Sequence, residues 1–333
     1  MALKQSLLLL AVIVIAGCLG QLPQGFSTGI NITSFQAVPN QVFAGEQVAF
    51  QLIVQNVGPY EATEAIAQLY GLSPDWTYPS TGGIQPVGPL TSGGSNTLTW
   101  LLNSPSSIST SSRTDYAHVR VYYKYHTEAS ATLNFVTLQF LQGLNNQTDR
   151  DQAARGAVLT QQSTSKNSPI TVNFSIPTSQ TYPNGVPQVV QYENQPFSFY
   201  VTVTNIGQGA PLDNGSQYTT STDFLTLAQT GVNNVSMVIY SSLPDQSPGP
   251  SLYCYYLDPY TTASSLYNPH LKILSNNQIR ISCQIYVSPS QISGGQIYYH
   301  ISVELGYGYY LCPGFTSSNC PDTATIVITK TPF

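Results

Sequence analysis

FQLIVQNVGPY at residues 50–60 returns later in the chain as FYVTVTNIGQG at residues 199–209. Phe50, Val54, Asn56 and Gly58 stand again as Phe199, Val203, Asn205 and Gly207. Phe50, Leu52 and Val54 alternate with Gln51, Ile53 and Gln55, the period-two pattern of a half-buried strand. Asn56 and Gly58 are residues that accept the turn conformations closing such a strand.

Two further blocks recur in the same order. LTSGGSNTLTWLLNSP at 90–105 matches LSNNQIRISCQIYVSP at 274–289. YAHVRVYYKY at 116–125 matches YYHISVELGY at 298–307, where Tyr116, His118, Val121 and Tyr125 reappear as Tyr298, His300, Val303 and Tyr307. The offset grows from 149 to 184 and then 182, which places an insertion of about 35 residues early in the second copy of an internal duplication. Each block reads as a strand, and Gly, Pro and Ser clusters such as Ser80–Gly83 and Ser247–Pro250 separate them. The best helical pattern in the mature chain is the polar stretch Asp149 to Gln161. The expected fold is all-β, with two tandem Ig-like β-sandwiches. Expected boundaries are 30–141 for the first sandwich, 142–169 for a linker and 170–333 for an enlarged second sandwich carrying disulfides.

The beginning of the chain reads as an export signal. Lys4 precedes the apolar run Leu7 to Ile15, which is too short to span a membrane comfortably and suits a signal peptide. Ile15-Ala16-Gly17-Cys18 resembles the lipobox of prokaryotic lipoproteins, which implies a signal at 1–18, lipidation of Cys18 and a tether over 19–29. The two or three acyl chains typical of such anchors hold firmly to a bilayer.

Setting Cys18 aside leaves Cys254, Cys283, Cys312 and Cys320, an even number in an exported chain and so a two-disulfide expectation. Cys254–Cys283 with Cys312–Cys320 is the favoured of three pairings. Zinc would need closer Cys pairs or His at ligand spacing, so no metal or other cofactor is expected. Asn31, Asn146, Asn173, Asn214 and Asn234 open Asn-x-Ser/Thr sequons, which permit glycosylation.

Charged residues make up only 8% of the chain, and the net charge of −5 is diffuse, which gives nucleic-acid binding no electrostatic footing. There is no P-loop, dinucleotide fingerprint or His-Glu-x-x-His. No two carboxylates sit where strand periodicity forces them together, so no catalytic residue is assigned and the chain is expected not to be an enzyme. His118 and His300 are read as outward-facing, with Val119 and Val121 setting the inward parity. Most of the 23 tyrosines read as cross-strand packing. Tyr256 and Tyr260, beside Asp258-Pro259, are the candidate contact residues, because tyrosine offers an apolar ring with a polar tip.

Phe43-Ala44-Gly45-Glu46-Gln47-Val48, continuing to Asn56-Val57-Gly58 and then to Gly-Ser-x-Thr-Leu-x-Trp at Gly94–Trp100, resembles archaeal and bacterial cell-surface Ig-like modules. These include CARDB-type adhesion domains and the Ig-like repeats of S-layer-associated proteins. The second copy departs from the pattern, reading Glu193-Asn194-Gln195-Pro196 and carrying Cys283 near the tryptophan position. The resemblance implies a prokaryotic surface lipoprotein, archaeal before bacterial. Such a protein would be held on the outer face of the membrane in contact with envelope proteins or glycans. Self-association as a subunit of a filament or lattice is the first alternative, in which Thr325–Thr329 pairs with a neighbour. A lipid-anchored hydrolase or solute-binding protein is the second.

Overall fold

The computed structural model describes residues 28–78, 83–149, 160–163, 167–177, 197–213, 233–242, 252–259, 265–273, 277–287, 293–311 and 323–330. Cys18, Cys312, Cys320, Asn214 and Tyr260 lie outside them. The first repeat supplies β1 (Ile30–Val38), β2 (Gln41–Phe43), β3 (Gln47–Asn56), β4 (Thr63–Tyr70), β5 (Ile84–Pro86), β6 (Ser95–Asn103) and β7 (Ser112–Val136). A short helix α1 (Leu138–Gly143) and β8 (Thr160–Ser163) follow. The second repeat supplies β9 (Ile170–Ser175), β10 (Phe197–Asn205), β11 (Ala210–Leu212), β12 (Asn234–Ser241), β13 (Leu252–Cys254) and β14 (Asp258–Pro259). It continues with β15 (Ser265–Lys272), β16 (Gln278–Ile285), β17 (Gln296–Leu311) and β18 (Thr323–Thr329).

The all-β sandwich is present, and its two halves share one sheet. β1-β3-β6 forms a small sheet from the first repeat, and β13-β16-β10-β9 forms another from the second. Both lie against a single 11-stranded sheet whose main path runs β14-β15-β12-β17-β7-β18-β2. The odd-numbered residues of β7 from Asp115 to Phe135 face inward along its whole length. Phe135 packs edge-on against Phe197 of β10, ring centroids 5.4 Å apart, while Phe50 meets Trp76 at 5.7 Å in the first half. One apolar cluster therefore runs through both halves.

This arrangement differs from the expected boundaries in three places. β7 runs on past the first half: Val121–Val136 pairs with all of β17, in the position a last strand would take in the second half. β18, at the end of the second repeat, pairs with Ser112–His118 of β7 and, in parallel, with β2. It thus completes the first half, and buries Ala324, Ile326 and Ile328 there. The expected 142–169 linker contains β8, which pairs with Ala129–Thr132 of β7, so the helical reading of 149–161 fails at its C-terminal end. The physical reason is common to all three. Twenty-five residues of alternating pattern bury their inner face wherever a second sheet covers it, and pattern alone does not say whose sheet that is.

β17 and β18 run in the same direction along one edge of β7. If the β17 register continued, residue 314 would oppose His118; Thr323 does, nine positions further on.

The opening repeat is explained where β3 and β10 end. Asn56 Nδ2 donates to Tyr60 O (2.7 Å) and its Oδ1 accepts from Gly58 N (3.0 Å). Asn205 makes the same pair of bonds with Gly209 O (2.9 Å) and Gly207 N (3.2 Å). Tyr125 Oη then accepts from Tyr60 N (3.1 Å), and Tyr309 Oη from Gly209 N (3.0 Å). A Cβ on Gly58 would lie 2.0 Å from Tyr125 Oη, and one on Gly207 2.1 Å from Tyr309 Oη. Each loop needs glycine there so that a tyrosine can reach its backbone.

These contacts make Tyr125 equivalent to Tyr309, so the third block is offset by 184, two residues more than the sequence alignment gave. Likewise Phe50 faces Trp100 and Phe199 faces Cys283, which puts Cys283 in the tryptophan's place. With the corrected offset, Lys124 pairs with its own equivalent, Gly308, and around it Tyr123 pairs with Tyr309 and Tyr125 with Tyr307. The four rings stand 5.7–6.2 Å apart in sequence around this pseudo-twofold centre. Burial pushes the Tyr125 hydroxyl up to about 12 and raises Tyr123, Tyr307 and Tyr309 as well, so all four stay neutral hydrogen-bonding groups at neutral pH.

Candidate binding surface

Burial divides the tyrosines. Tyr299, Tyr307, Tyr309 and Tyr310 are buried. Tyr253, Tyr255, Tyr256 and Tyr286 are exposed and lie on or beside β13 and β16 of the four-stranded sheet. A disulfide holds this edge in place. Cys254 and Cys283 are register partners on β13 and β16, bonded with their Cα atoms 4.0 Å apart, the pairing favoured from the sequence. Since β13 has only three residues, the covalent link does what a short ladder cannot. Tyr253 and Tyr255 flank the cysteine and stack edge-to-face at 5.4 Å.

Tyr256 turns the chain after β13 with φ at +68°, uncommon for an aromatic residue. Asn268 holds it there: its Nδ2 donates to Tyr256 O (2.6 Å), and its Oδ1 accepts from His270 N (2.8 Å). His270 owes its direction to a bulge in β15, where Pro269 and His270 together oppose Ser236 between the Val235–Leu271 and Met237–Asn268 pairs. Proline is tolerated at such a bulge because the ladder is already interrupted. His270 Nδ1 lies 2.7 Å from Asp213 Oδ2.

Between the Tyr256 turn, the end of β15 and the start of β16 lies an open cleft of about 540 Å³. Tyr256, His270, Lys272, Gln278 and Arg280 contribute to its lining, and among the described residues the lining includes no carboxylate. The Arg280 guanidinium sits over the Tyr200 ring, 3.6 Å from its centroid. This is a cation–π contact. Sequence reasoning singled out Tyr256 and missed Lys272, Arg280 and His270. Twenty-four residues separate Tyr256 from Arg280, and only the sandwich brings them together.

The other expected site residues stay apart. His118 faces outward against Tyr70 (5.6 Å) and Thr323 Oγ1 (3.1 Å), and His300 bonds Thr132 Oγ1 (2.9 Å). Asn146 and Asn173 are exposed, while Asn31 and Asn234 are half-buried. A second polar cluster braces the first half: Arg113 bonds Asp75 (2.6 Å), Asp115 (2.8 Å) and the Ser73 hydroxyl, and Trp76 Nε1 donates to Asp115 (2.6 Å). Arg113 draws the Asp75 carboxyl down to about 2. These groups satisfy one another. Among the described residues, no group of three or more His, Cys, Asp or Glu is placed to hold a metal ion. No described helix is long and apolar enough to cross a membrane.

No protein-family model and no curated protein matches the chain in sequence. Similarity to solved structures is distant. A transglutaminase from red sea bream aligns with 92% of this chain and 32% of its own at 9% identity and a TM-score of 0.20. The secreted serine protease VesC of Vibrio cholerae aligns with 88% of this chain and 52% of its own at 10% identity and 0.19. The collagen adhesin of S. aureus covers 91% and 93% of the two chains at 10% identity and 0.13. The chain thus spans a third to a half of the first two. At these scores none of the three informs its function.

Proposed function

We propose that this is an exported, lipid-anchored surface protein that works by contact in the cell envelope and carries out no chemistry. The exposed tyrosine group Tyr253, Tyr255, Tyr256 and Tyr286, fixed by the Cys254–Cys283 disulfide, carries the reading. Surface rings gathered at one rigid edge suit recognition, since tyrosine buries large area at little entropic cost. A disulfide fits an oxidising compartment, and the lipobox at Cys18 supplies the tether. The test is sedimentation of purified residues 24–333 with isolated prokaryotic envelope layers. The expected result is saturable binding that falls when Tyr253 and Tyr255 are changed to Ser. Absence of binding to every envelope tried would remove the adhesive role.

A second reading, subunit of a filament or lattice, draws on β18. A strand contributed from the chain end to a distant half is one that a neighbouring copy could supply, and head-to-tail exchange of that kind propagates. Light-scattering mass decides it: a monomer mass removes this reading, and an open-ended assembly supports it.

A further inference from the structure

We propose that the cleft between the Tyr256 turn, β15 and β16 binds an anionic saccharide, a sugar unit bearing carboxylate or sulfate within a polymer. The inference rests on the contact role above and names the ligand class.

The chain carries ten Lys and Arg in 333 residues and a net charge of −5, so two cationic side chains in one cleft, with no carboxylate among the described lining residues, stand out. Lys272 meets no carboxylate among the described residues. Asp213, which meets the lining at His270, is engaged by that residue. Arg280 is steadied by its cation–π contact with Tyr200. Guanidinium donors match the spacing of carboxylate or sulfate oxygens, and Lys272 adds a point charge.

A bare inorganic anion would leave most of the cleft empty. Its volume of about 540 Å³ falls in the range of sites for small organic ligands. At its mouth Tyr256 is 70% exposed and in a strained conformation, its carbonyl held by Asn268, which is itself fixed by His270 N. Strain of this kind persists where the surroundings fix it and is concentrated at functional positions. A presented ring packs on the C–H face of a pyranose, while its hydroxyl tip stays wet. Tyr253 and Tyr255, exposed and stacked edge-to-face just before Tyr256 in the chain, offer further rings that a polymer with repeating units would use.

The experiment is calorimetric titration of oxidised residues 24–333 with polygalacturonate, sulfated dextran, unsulfated dextran and inorganic sulfate. The charged polymers should bind and the other two should not, and the affinity should fall as salt rises. Lys272→Ala and Arg280→Gln should each lower affinity about tenfold, the loss of one charge-assisted contact. Tyr256→Asn should lower it similarly with an unchanged melting temperature, because asparagine tolerates positive φ and keeps the turn. Equal binding of unsulfated dextran overturns the charge requirement. Binding of inorganic sulfate as tight as that of the polymer overturns the saccharide. Variants that bind like the wild type overturn the site. Envelope sedimentation separates the two proposals. If wild type and these variants sediment alike, the cleft falls and the contact role stands. If nothing sediments while the polymers bind as expected, the contact role falls and the cleft stands.

Discussion

Gly58 and Tyr125 are coupled through one missing methyl group, and Gly207 and Tyr309 repeat the coupling. At both places a Cβ would overlap the tyrosine hydroxyl, which the loop backbone uses as its acceptor. Gly58→Ala should therefore destabilise the protein by about 1–3 kcal/mol, the usual cost of overpacking. Tyr125→Phe alone should cost about 1–2 kcal/mol, since Tyr60 N–H loses its acceptor. Together the two should cost clearly less than their sum, because Phe removes the atom at 2.0 Å and leaves a ring carbon at 3.0 Å. Urea denaturation of the four members of the cycle checks this, and additive costs would mean that the contact does not constrain the loop. The sequence showed that Asn-x-Gly recurs and that both copies end a strand. It hid the tyrosine partner, which lies 67 residues along the chain from Gly58 and is one of several at alternate positions.

At the scale of elements, strand existence was legible and strand partnership was not. Alternation identified β3, β7, β10 and β17 because each buries one face throughout. The same alternation allowed the third block to be aligned two residues out, since a shift of two leaves every side chain on its own face. It also made β18 a last strand of the second half, when its inward residues Ala324, Ile326 and Ile328 fill the first. Ile326→Ala should cost about 2–5 kcal/mol as a fully buried truncation. Its effect should appear far from its repeat. Hydrogen exchange measured by mass spectrometry should quicken first and most in Ser112–His118 of β7 and in β2, and less in β9, β10 and β16. Faster exchange confined to the second half would contradict the assignment of β18. The binding cleft was illegible for a related reason: Lys272 and Arg280 sit at ordinary outward positions of two strands, and only a bulge and a sandwich edge turn them toward Tyr256.

For the whole molecule, the pairing of β7 with β17 about Lys124 and Gly308 has the form of an isologous contact, in which equivalent residues of two copies meet reciprocally. A duplicated chain has kept that contact inside one polypeptide, and each half now lacks a strand unless the other is present. The first takes β18 from the chain end, and the second takes the far part of β7. Shared strands make the halves one thermodynamic unit. Scanning calorimetry of residues 24–333 should therefore show a single transition whose calorimetric and van't Hoff enthalpies agree, although 310 residues would usually divide into independent domains. Residues 28–143 produced alone should fail to give a cooperative transition, because Ser112–His118 loses β18, and Ala129, Ala131, Leu133 and Phe135 lose the sheet that buries them. A fragment that melts cooperatively on its own, or two resolved transitions in the full chain, would show instead that each half closes its core without the borrowed strand, and that the long sheet joins two finished sandwiches.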